Sequence, residues 1–183
     1  MRSVILIMAL LLAGCATSTA RATSVASERT SGDFSVDARF SLSSGSERYA
    51  GRLFWRRNGT LEELQVSSPF GQMLAVLTIQ PGGARLETAE RRVFAAADAE
   101  ALMREALGYE LPVTRLASWL RGKPDASARV ARDAGARVTL AEDAGWRIEY
   151  DYSDAAASLP ERLLVTRADG FELRLRIEEW QFE

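Results

Sequence analysis

An alternation of apolar and polar residues, renewed after each turn, is the feature that most restricts how this chain can fold. Every second residue from 34 to 40 is apolar, which predicts a β-strand because successive side chains of a strand point to opposite faces. Further strand-like segments follow at residues 49–56, 61–66, 73–79, 85–88, 92–95, 128–132, 137–141, 146–152, 163–167 and 172–178. Turn sequences such as Asn58-Gly59 join them, and no βαβ repeat occurs. The sequence therefore predicts a mainly β, antiparallel meander of ten or eleven strands.

Two features of this pattern stay open at the level of sequence. Trp55 and Phe54 are neighbours with opposite orientations, and the sequence does not settle which of them points inward. In the last strand the alternation slips before Trp180 and Phe182. That slip predicts either a β-bulge or a frayed end.

Two short helices are predicted between residues 98 and 124. In the first, Asp98 is the predicted N-cap and Gly108 the residue that follows the last turn. In the second, Pro112 is the predicted first residue, and Gly122 with Pro124 ends the helix. Apolar residues recur at helical spacing at Ala99, Leu102, Met103, Ala106 and Leu107, and at Val113, Leu116, Ala117 and Leu120. Such amphipathic helices can cover the open side of a curved sheet.

The composition excludes several kinds of active site. The 183 residues include no histidine, so Ser-His-Asp triads, Cys-His pairs and imidazole zinc sites are ruled out. The 23 basic residues nearly balance the 25 acidic ones, which disfavours nucleic acid as a partner. The adjacent pairs Glu62-Glu63 and Glu178-Glu179 point to opposite faces of a strand and are interpreted as solvated charge. We therefore predict no catalytic residue, no metal site and no cofactor.

The N-terminal segment resembles the signal of a bacterial lipoprotein. Arg2 precedes an apolar stretch over residues 4–12, which suits a signal peptide, whereas a membrane span needs about 20 residues. The stretch ends in Leu12-Ala13-Gly14-Cys15. This resembles the lipobox, and the resemblance implies cleavage before Cys15 and acylation of that cysteine. The alternative is an ordinary secretory signal with an incidental cysteine. Inner-membrane lipoproteins commonly carry aspartate directly after the cysteine. This chain has Ala16 there, which resembles the sorting signal of an outer-membrane lipoprotein.

The segment after Cys15 is rich in Ser, Thr and Ala and lacks an apolar period. It cannot bury enough apolar surface to offset the entropy of ordering, which predicts a flexible tether. An additional N-terminal helix is the alternative. We thus expect a signal peptide over residues 1–14, an acylated tether over residues 15–33 and a single domain over residues 34–183.

A turn between two predicted strands carries an unusual aromatic residue. In Ser68-Pro69-Phe70-Gly71-Gln72, Pro69 fixes its own φ angle and lacks an N–H, and Gly71 tolerates positive φ, so the segment is typical of a turn. Phe70 either folds back onto the core or is displayed toward something apolar outside the protein.

Seven segments of the chain, in order, resemble the family of the outer-membrane lipoprotein receptor LolB. They are the lipobox ending at Cys15, Arg52-Leu53-Phe54-Trp55, Ser68-Pro69-Phe70-Gly71, residues 111–124, residues 145–150, Leu159-Pro160 and Trp180. The resemblance implies an incomplete antiparallel β-barrel of about eleven strands, with the short helices as a lid over a hydrophobic cavity.

The resemblance also implies a function in lipoprotein localization. It implies a lipid-anchored protein of the outer membrane, facing the periplasm, that accepts lipoproteins from the periplasmic carrier LolA. The cavity would take the acyl chains of these clients, and release would be into the lipids of the outer membrane. The family carries an apolar residue, usually leucine, on a protruding loop. That position corresponds to Phe70, so Pro69, Phe70 and Gly71 form the expected membrane-insertion loop.

Two departures from the family pattern accompany these matches. The tether is short and lacks the family's tryptophan, and Lys123 stands where an apolar residue is usual. The alternative function is that of an outer-membrane-anchored lipid-binding or scaffold lipoprotein in envelope assembly, and an enzyme is the least favoured class. We expect a monomer.

The apolar faces of the predicted strands and helices supply the candidates for the acyl-chain cavity. They are Trp55, Leu64, Val66, Met73, Leu102, Met103, Leu116, Trp119, Trp146 and Ile148. For each of them, ordinary packing in the core is the alternative, because an apolar stripe is core by default. As a group, some are expected to line a void, because a half-barrel of this size leaves interior volume.

Overall fold

The computed structural model describes residues 32–108 and 110–182. The predicted signal peptide, Cys15 and most of the predicted tether lie outside these residues. Within them, strands and helices follow in the order β1 (Phe34–Ser44), β2 (Glu47–Asn58), β3 (Leu61–Ser67), β4 (Met73–Gln80), β5 (Gly83–Thr88), β6 (Val93–Ala96), α1 (Ala99–Leu107), α2 (Val113–Trp119), β7 (Arg129–Arg132), β8 (Val138–Asp143), β9 (Trp146–Asp151), β10 (Arg162–Arg167) and β11 (Glu172–Phe182). In this part of the chain, neither helix has the length and apolar character needed to cross a bilayer.

The eleven strands form one sheet in the order β6-β5-β4-β3-β2-β1-β11-β10-β9-β8-β7. Every neighbouring pair is antiparallel. The first and last strands, β1 and β11, lie side by side at its centre. The outermost strands β6 and β7 do not pair with each other, so the sheet is open. The prediction of a mainly β, incomplete antiparallel barrel of about eleven strands with two short helices is therefore confirmed.

One face of the sheet, which we call the inner face, packs against the helices and is apolar. Trp55 on β2 stands opposite Val36 on β1 and is fully buried. Its neighbour Phe54 stands opposite Asp37 and is only half-buried. Trp55 rather than Phe54 therefore points inward. Because side chains alternate along a strand, this also fixes the orientation of the other side chains of β2.

A β-bulge in β11 explains why the alternation slips near the C-terminus. Ala38 pairs with Ile177 and Asp37 pairs with Glu179, which leaves Glu178 as an extra residue. The extra residue turns Trp180 to the inner face. The Trp180 ring then lies edge-on to that of Phe34, with ring centroids 5.5 Å apart. Of the two predicted possibilities, the bulge is the one that occurs.

The helix ends follow the predicted capping chemistry with one difference. In α1, the Asp98 carboxylate accepts a 2.7 Å hydrogen bond from the backbone N–H of Ala101, and Gly108 ends the helix with a φ of 78°. The predicted start of α2 at Pro112 is wrong by one residue, since the helix begins at Val113. Pro112 precedes it, and its carbonyl accepts a 2.9 Å hydrogen bond from the Leu116 N–H.

A buried carboxylate fixes α2 to the sheet. Asp143, at the end of β8, is 2% exposed. It accepts 2.8 Å hydrogen bonds from Arg115 Nη1 and from the indole Nε1–H of Trp119, both on α2. The backbone N–H of Asp125 adds a third bond at 3.2 Å. A buried charge is tolerated only when its hydrogen bonds are made, so this position specifies where α2 lies on the sheet.

We expect Asp143→Ala to lower the free energy of unfolding by about 2–4 kcal/mol, because the buried indole N–H of Trp119 loses its acceptor and the backbone N–H of Asp125 loses a hydrogen bond. The Arg115 side chain is 44% exposed and recovers water, which limits the loss. Urea unfolding followed by tryptophan fluorescence measures the change.

Glu142→Ala is the matched control for this variant. Glu142 is the adjacent carboxylate, and it pairs with Arg129 and Arg147 at the surface. Surface ion pairs contribute little, so this variant should lose less than about 1 kcal/mol. Equal losses for the two variants would contradict a role of Asp143 in fixing the helix.

Candidate functional site

A cavity of about 320 Å³ lies between the inner face of the sheet and the two helices. Its walls come from strands β1 to β5, from β11, from both helices and from Leu111 in the segment that joins them. Of the 18 residues that line it, 17 have side chains without an oxygen or nitrogen atom. The remaining residue is Tyr49, whose hydroxyl donates a 2.8 Å hydrogen bond to Glu47 Oε2. This hydrogen bond raises the pKa of the Tyr49 hydroxyl, which keeps the group neutral.

The rim of the cavity is open to solvent. Tyr49, Leu74 and Leu107 line the cavity, yet they are exposed by 49%, 41% and 41%. Leu74 reaches this position through a β-bulge, because Val66 pairs with Ala75 while Ser67 pairs with Met73. A ligand can therefore enter from the side on which these three side chains lie.

The lining determines what the cavity can bind. Without charged groups or free hydrogen-bond donors, it offers no compensation to a polar ligand that loses its water. A hydrocarbon ligand has no hydrogen bonds to water to give up, and its burial is favourable by about 0.8 kcal/mol per methylene group. The volume is at the lower end of the range of about 300–1,000 Å³ for ligand pockets. In this conformation the cavity has room for part of one long hydrocarbon chain but not for several whole chains.

Four of the ten predicted lining residues lie on this cavity. They are Leu64 and Val66 on β3, Met103 on α1 and Leu116 on α2. The other six do not line it, and they are Trp55, Met73, Leu102, Trp119, Trp146 and Ile148. Leu102 and Ile148 are fully buried in the core. Met73 pairs with Ser67 next to the projecting turn and is largely exposed.

The three tryptophans outside the cavity fill other parts of the core. The indole N–H of Trp55 donates a 2.9 Å hydrogen bond to Glu62 Oε2. Trp119 is held by Asp143, and its ring lies 6.1 Å from that of Trp146. These large rings occupy space and need hydrogen-bond partners, so they close the core where they lie instead of leaving a void.

Glu62 corrects the interpretation of the glutamate pairs as solvated charge. It is mostly buried, and its carboxylate accepts hydrogen bonds from Trp55 and, at 2.6 Å, from Arg57. Glu178 lies at the surface, where it bridges Arg39 and Arg52. Among residues 32–108 and 110–182, no cluster of acidic or cysteine side chains is arranged to hold a metal ion.

Sequence reasoning missed most of the lining from β1, β4 and β11. Leu42, Leu77, Leu173 and Leu175 all line the cavity. These four leucines lie on the apolar faces of their strands. The available signal was the strand register, since Leu77 pairs with Leu64 and Leu173 pairs with Leu42.

The turn between β3 and β4 displays Phe70 to solvent. Its side chain is 99% exposed. The turn is closed by hydrogen bonds from the Gly71 N–H to the Ser68 carbonyl at 2.9 Å and from the Ser68 N–H to the Gln72 carbonyl at 2.8 Å. Gly71 has a φ of 85°, which favours glycine. Of the two positions that the sequence allowed for Phe70, the structure shows the displayed one.

The chain is similar in sequence to proteins of one family. Residues 32–180 match the model of the family described as outer membrane lipoprotein LolB. The outer-membrane lipoprotein LolB of Azoarcus sp. strain BH72 is 39% identical over 174 residues, which cover 93% of this chain and 90% of that protein. The outer-membrane lipoprotein LolB of Dechloromonas aromatica strain RCB is 35% identical over 187 residues, which cover 99% of this chain and 97% of that protein. A crystal structure of a LolA superfamily protein from Nitrosomonas europaea superimposes with a TM-score of 0.48 and 8% identity over 84% of this chain and 87% of that chain.

Two neighbouring residues allow a matched test of the cavity. Leu74 and Met73 are exposed by 41% and 43%, but only Leu74 lines the cavity. We expect Leu74→Glu to weaken the binding of a fluorescent fatty-acid probe about 10-fold, because an apolar contact is lost and a charge enters the rim. Met73→Glu should leave the affinity unchanged. Fluorescence titration measures both, and equal affinities of the two variants would contradict binding in this cavity.

Proposed function

The chain belongs to the LolB family of outer-membrane lipoproteins, and on this premise we propose that it accepts lipoproteins from a periplasmic carrier of the LolA type and inserts them into the outer membrane. As a member of this family, the protein is an outer-membrane lipoprotein that functions in lipoprotein localization. The observation that carries the proposal is the cavity, which is lined almost wholly by hydrocarbon and has an open rim.

The physical need for such a cavity follows from the cost of wetting acyl chains. At about 0.8 kcal/mol per methylene group, exposing three chains of about 16 carbons costs up to roughly 38 kcal/mol. A barrier of that height makes release through bulk water negligibly slow. The client must therefore pass directly from the cavity of the carrier to this one and then to the bilayer.

The resting cavity is smaller than such a client requires. At about 320 Å³ it is sized for part of a chain, so we propose that loading separates α1 from the inner face. Met103 on α1 lines the cavity and would move away from the sheet. Helix α2 would stay in place, because Arg115 and Trp119 hold it to Asp143.

No chemical step on the client is part of this proposal. The lining offers no nucleophile beyond the Tyr49 hydroxyl, which is bonded to Glu47. The sequence contains no GxxxxGK[ST] motif for nucleotide binding. Transfer is therefore driven by differences in affinity, which increase from the carrier to this cavity and from this cavity to the bilayer.

Phe70 is the residue that we propose to enter the membrane. It projects from a closed turn next to β4, whose residue Leu74 stands at the rim of the cavity. An aromatic side chain in the acyl boundary gains the free energy of its burial and holds the rim close to the bilayer. Pro69 and Gly71 supply the turn geometry that displays it.

We expect Phe70→Glu to slow delivery of a lipoprotein to liposomes by about 10- to 100-fold, the loss that corresponds to the burial of one large apolar side chain. The measurement is a reconstituted transfer from a loaded LolA-type carrier, with the lipoprotein quantified in the liposome fraction. Phe70→Leu is the control and should deliver at the normal rate. Normal delivery by Phe70→Glu would exclude the role in the membrane.

The anchor of the protein is proposed to be Cys15. We propose that residues 1–14 are removed and that the acylated Cys15 is linked to the domain through residues 16–33. Several acyl chains on one residue give stable anchoring, which a single chain does not. We expect the chain with Cys15→Ala, secreted with an ordinary cleavable signal in place of residues 1–14, to leave the membrane fraction on cell fractionation. The chain that keeps Cys15 and its own signal but carries Phe70→Glu should remain there. Retention of the Cys15→Ala variant in the membrane would contradict the anchor.

A further inference from the structure

Four arginines stand side by side across the outer face of the sheet, the face opposite the helices. Arg39 on β1 pairs with Arg52 on β2 and with Arg176 on β11, and Arg176 pairs in turn with Arg162 on β10. We call this set the arginine row. Because neighbouring strands are about 4.8 Å apart, the row is about 14 Å long. Like charges directly opposite each other destabilise a sheet, so folding alone does not account for four in a line.

Two glutamates neutralise only part of the row. The carboxylate of the bulge residue Glu178 lies 2.6 Å from Arg39 Nε and 3.1 Å from Arg52 Nη2. That of Glu161 lies 3.7 Å from Arg176 Nε and 3.9 Å from Arg162 Nη2. Each carboxylate is thus shared by two guanidinium groups, and the row retains two positive charges.

The guanidinium groups keep most of their donors available. The four side chains are between 48% and 62% exposed. Each guanidinium carries five N–H donors, and within the described part of the chain each meets a single carboxylate. Glu149 and Asp151 on β9 mark the end of the basic stretch, in a groove that also contains Arg174.

The arginine row begins beside the turn that carries Phe70. Arg52 pairs with Ser67, the last residue of β3, and Phe70 follows three residues later. Three residues span at most about 10 Å. Paired strands lie about 5 Å apart, so with Phe70 at the acyl boundary the long side chain of Arg52 is placed to reach the layer of headgroups. Arg39 is the next residue of the row along the sheet.

We propose that the arginine row binds the phosphate groups of anionic phospholipids and thereby orients the domain on the membrane. The proposal rests on the proposed entry of Phe70 into the bilayer. Guanidinium groups match phosphate with two parallel hydrogen bonds, and a basic residue near an anionic surface is attracted to it. The row is continuous with the turn of Phe70, which favours a lipid surface over an acidic protein as the partner.

The test compares two double variants of the chain with Cys15→Ala, secreted with an ordinary cleavable signal in place of residues 1–14, so that neither the signal segment nor an acyl anchor contributes to binding. The first removes the centre of the row, with Arg39→Gln and Arg176→Gln. The second, Arg85→Gln with Arg129→Gln, is the matched control, since each of these exposed arginines is also paired with one glutamate at 3.0 Å. Binding is measured by co-sedimentation with vesicles of phosphatidylcholine, with and without phosphatidylglycerol.

We expect the row variant to bind vesicles that contain phosphatidylglycerol about 10- to 30-fold more weakly, at about 5-fold for each arginine near an anionic surface. The control variant should change less than about 2-fold, because Arg85 on β5 and Arg129 on β7 lie outside the arginine row. On phosphatidylcholine alone, neither variant should differ from the parent. Thermal unfolding of all variants confirms that they are folded.

Two results would overturn the proposal. Equal losses in the two double variants would assign the effect to overall charge. Unchanged binding of the row variant to vesicles with phosphatidylglycerol would exclude the lipid as the partner, and a failure of that variant to take lipoprotein from the carrier would then assign the row to a protein interface.

A parallel measurement with Phe70→Glu separates this proposal from the proposed function. That variant should lose binding to both kinds of vesicle, whereas the row variant loses it only on the anionic one. Normal binding by Phe70→Glu, together with a loss in the row variant, would contradict the membrane role of Phe70 and leave the row as a lipid contact.

Discussion

The sheet presents an apolar face that is wider than the helices available to cover it. Eleven strands at about 4.8 Å spacing span about 50 Å along the curve of the sheet. The helices α1 and α2, of nine and seven residues, are only about 14 and 11 Å long. Apolar surface that is left uncovered is unfavourable in water by about 25 cal/mol per Å². The cavity is the uncovered remainder, and a hydrocarbon ligand relieves the same imbalance that creates it.

The two halves of the inner face resolve this imbalance differently. Under α2, the side toward β8, β9 and β10 is filled by the rings of Trp119, Trp146 and Phe171, with the Trp146 and Phe171 centroids 5.1 Å apart. The carboxylate of Asp143 fixes the helix there. On the other side, β1 to β5 and β11 face α1 and the first residues of α2 with mostly leucine side chains, which leave volume between them. One half is therefore a closed core, and the other contains the cavity.

Most of the fold could be predicted from the sequence because its signals are local. The strand alternation, the cap at Asp98 and the slip before Trp180 each depend on a few adjacent residues. The cavity could be predicted only in part. Whether an apolar residue lines a void depends on which helix lies above it, and that contact joins residues far apart in the chain. Leu64 and Trp55 share one strand pair and one face, yet only Leu64 borders the cavity, because Trp55 is held by Glu62.

Phe70 stands apart from every other large aromatic residue in the described part of the chain, because its ring is almost wholly in water. A side chain that makes no contact in the folded state adds almost nothing to the free energy of folding. Its hydrophobicity can consequently be varied without risk to the fold, whereas any residue of the core is constrained by its neighbours. With the proposed membrane role, selection on this single position would adjust how long the protein dwells on a bilayer, independently of how stable it is.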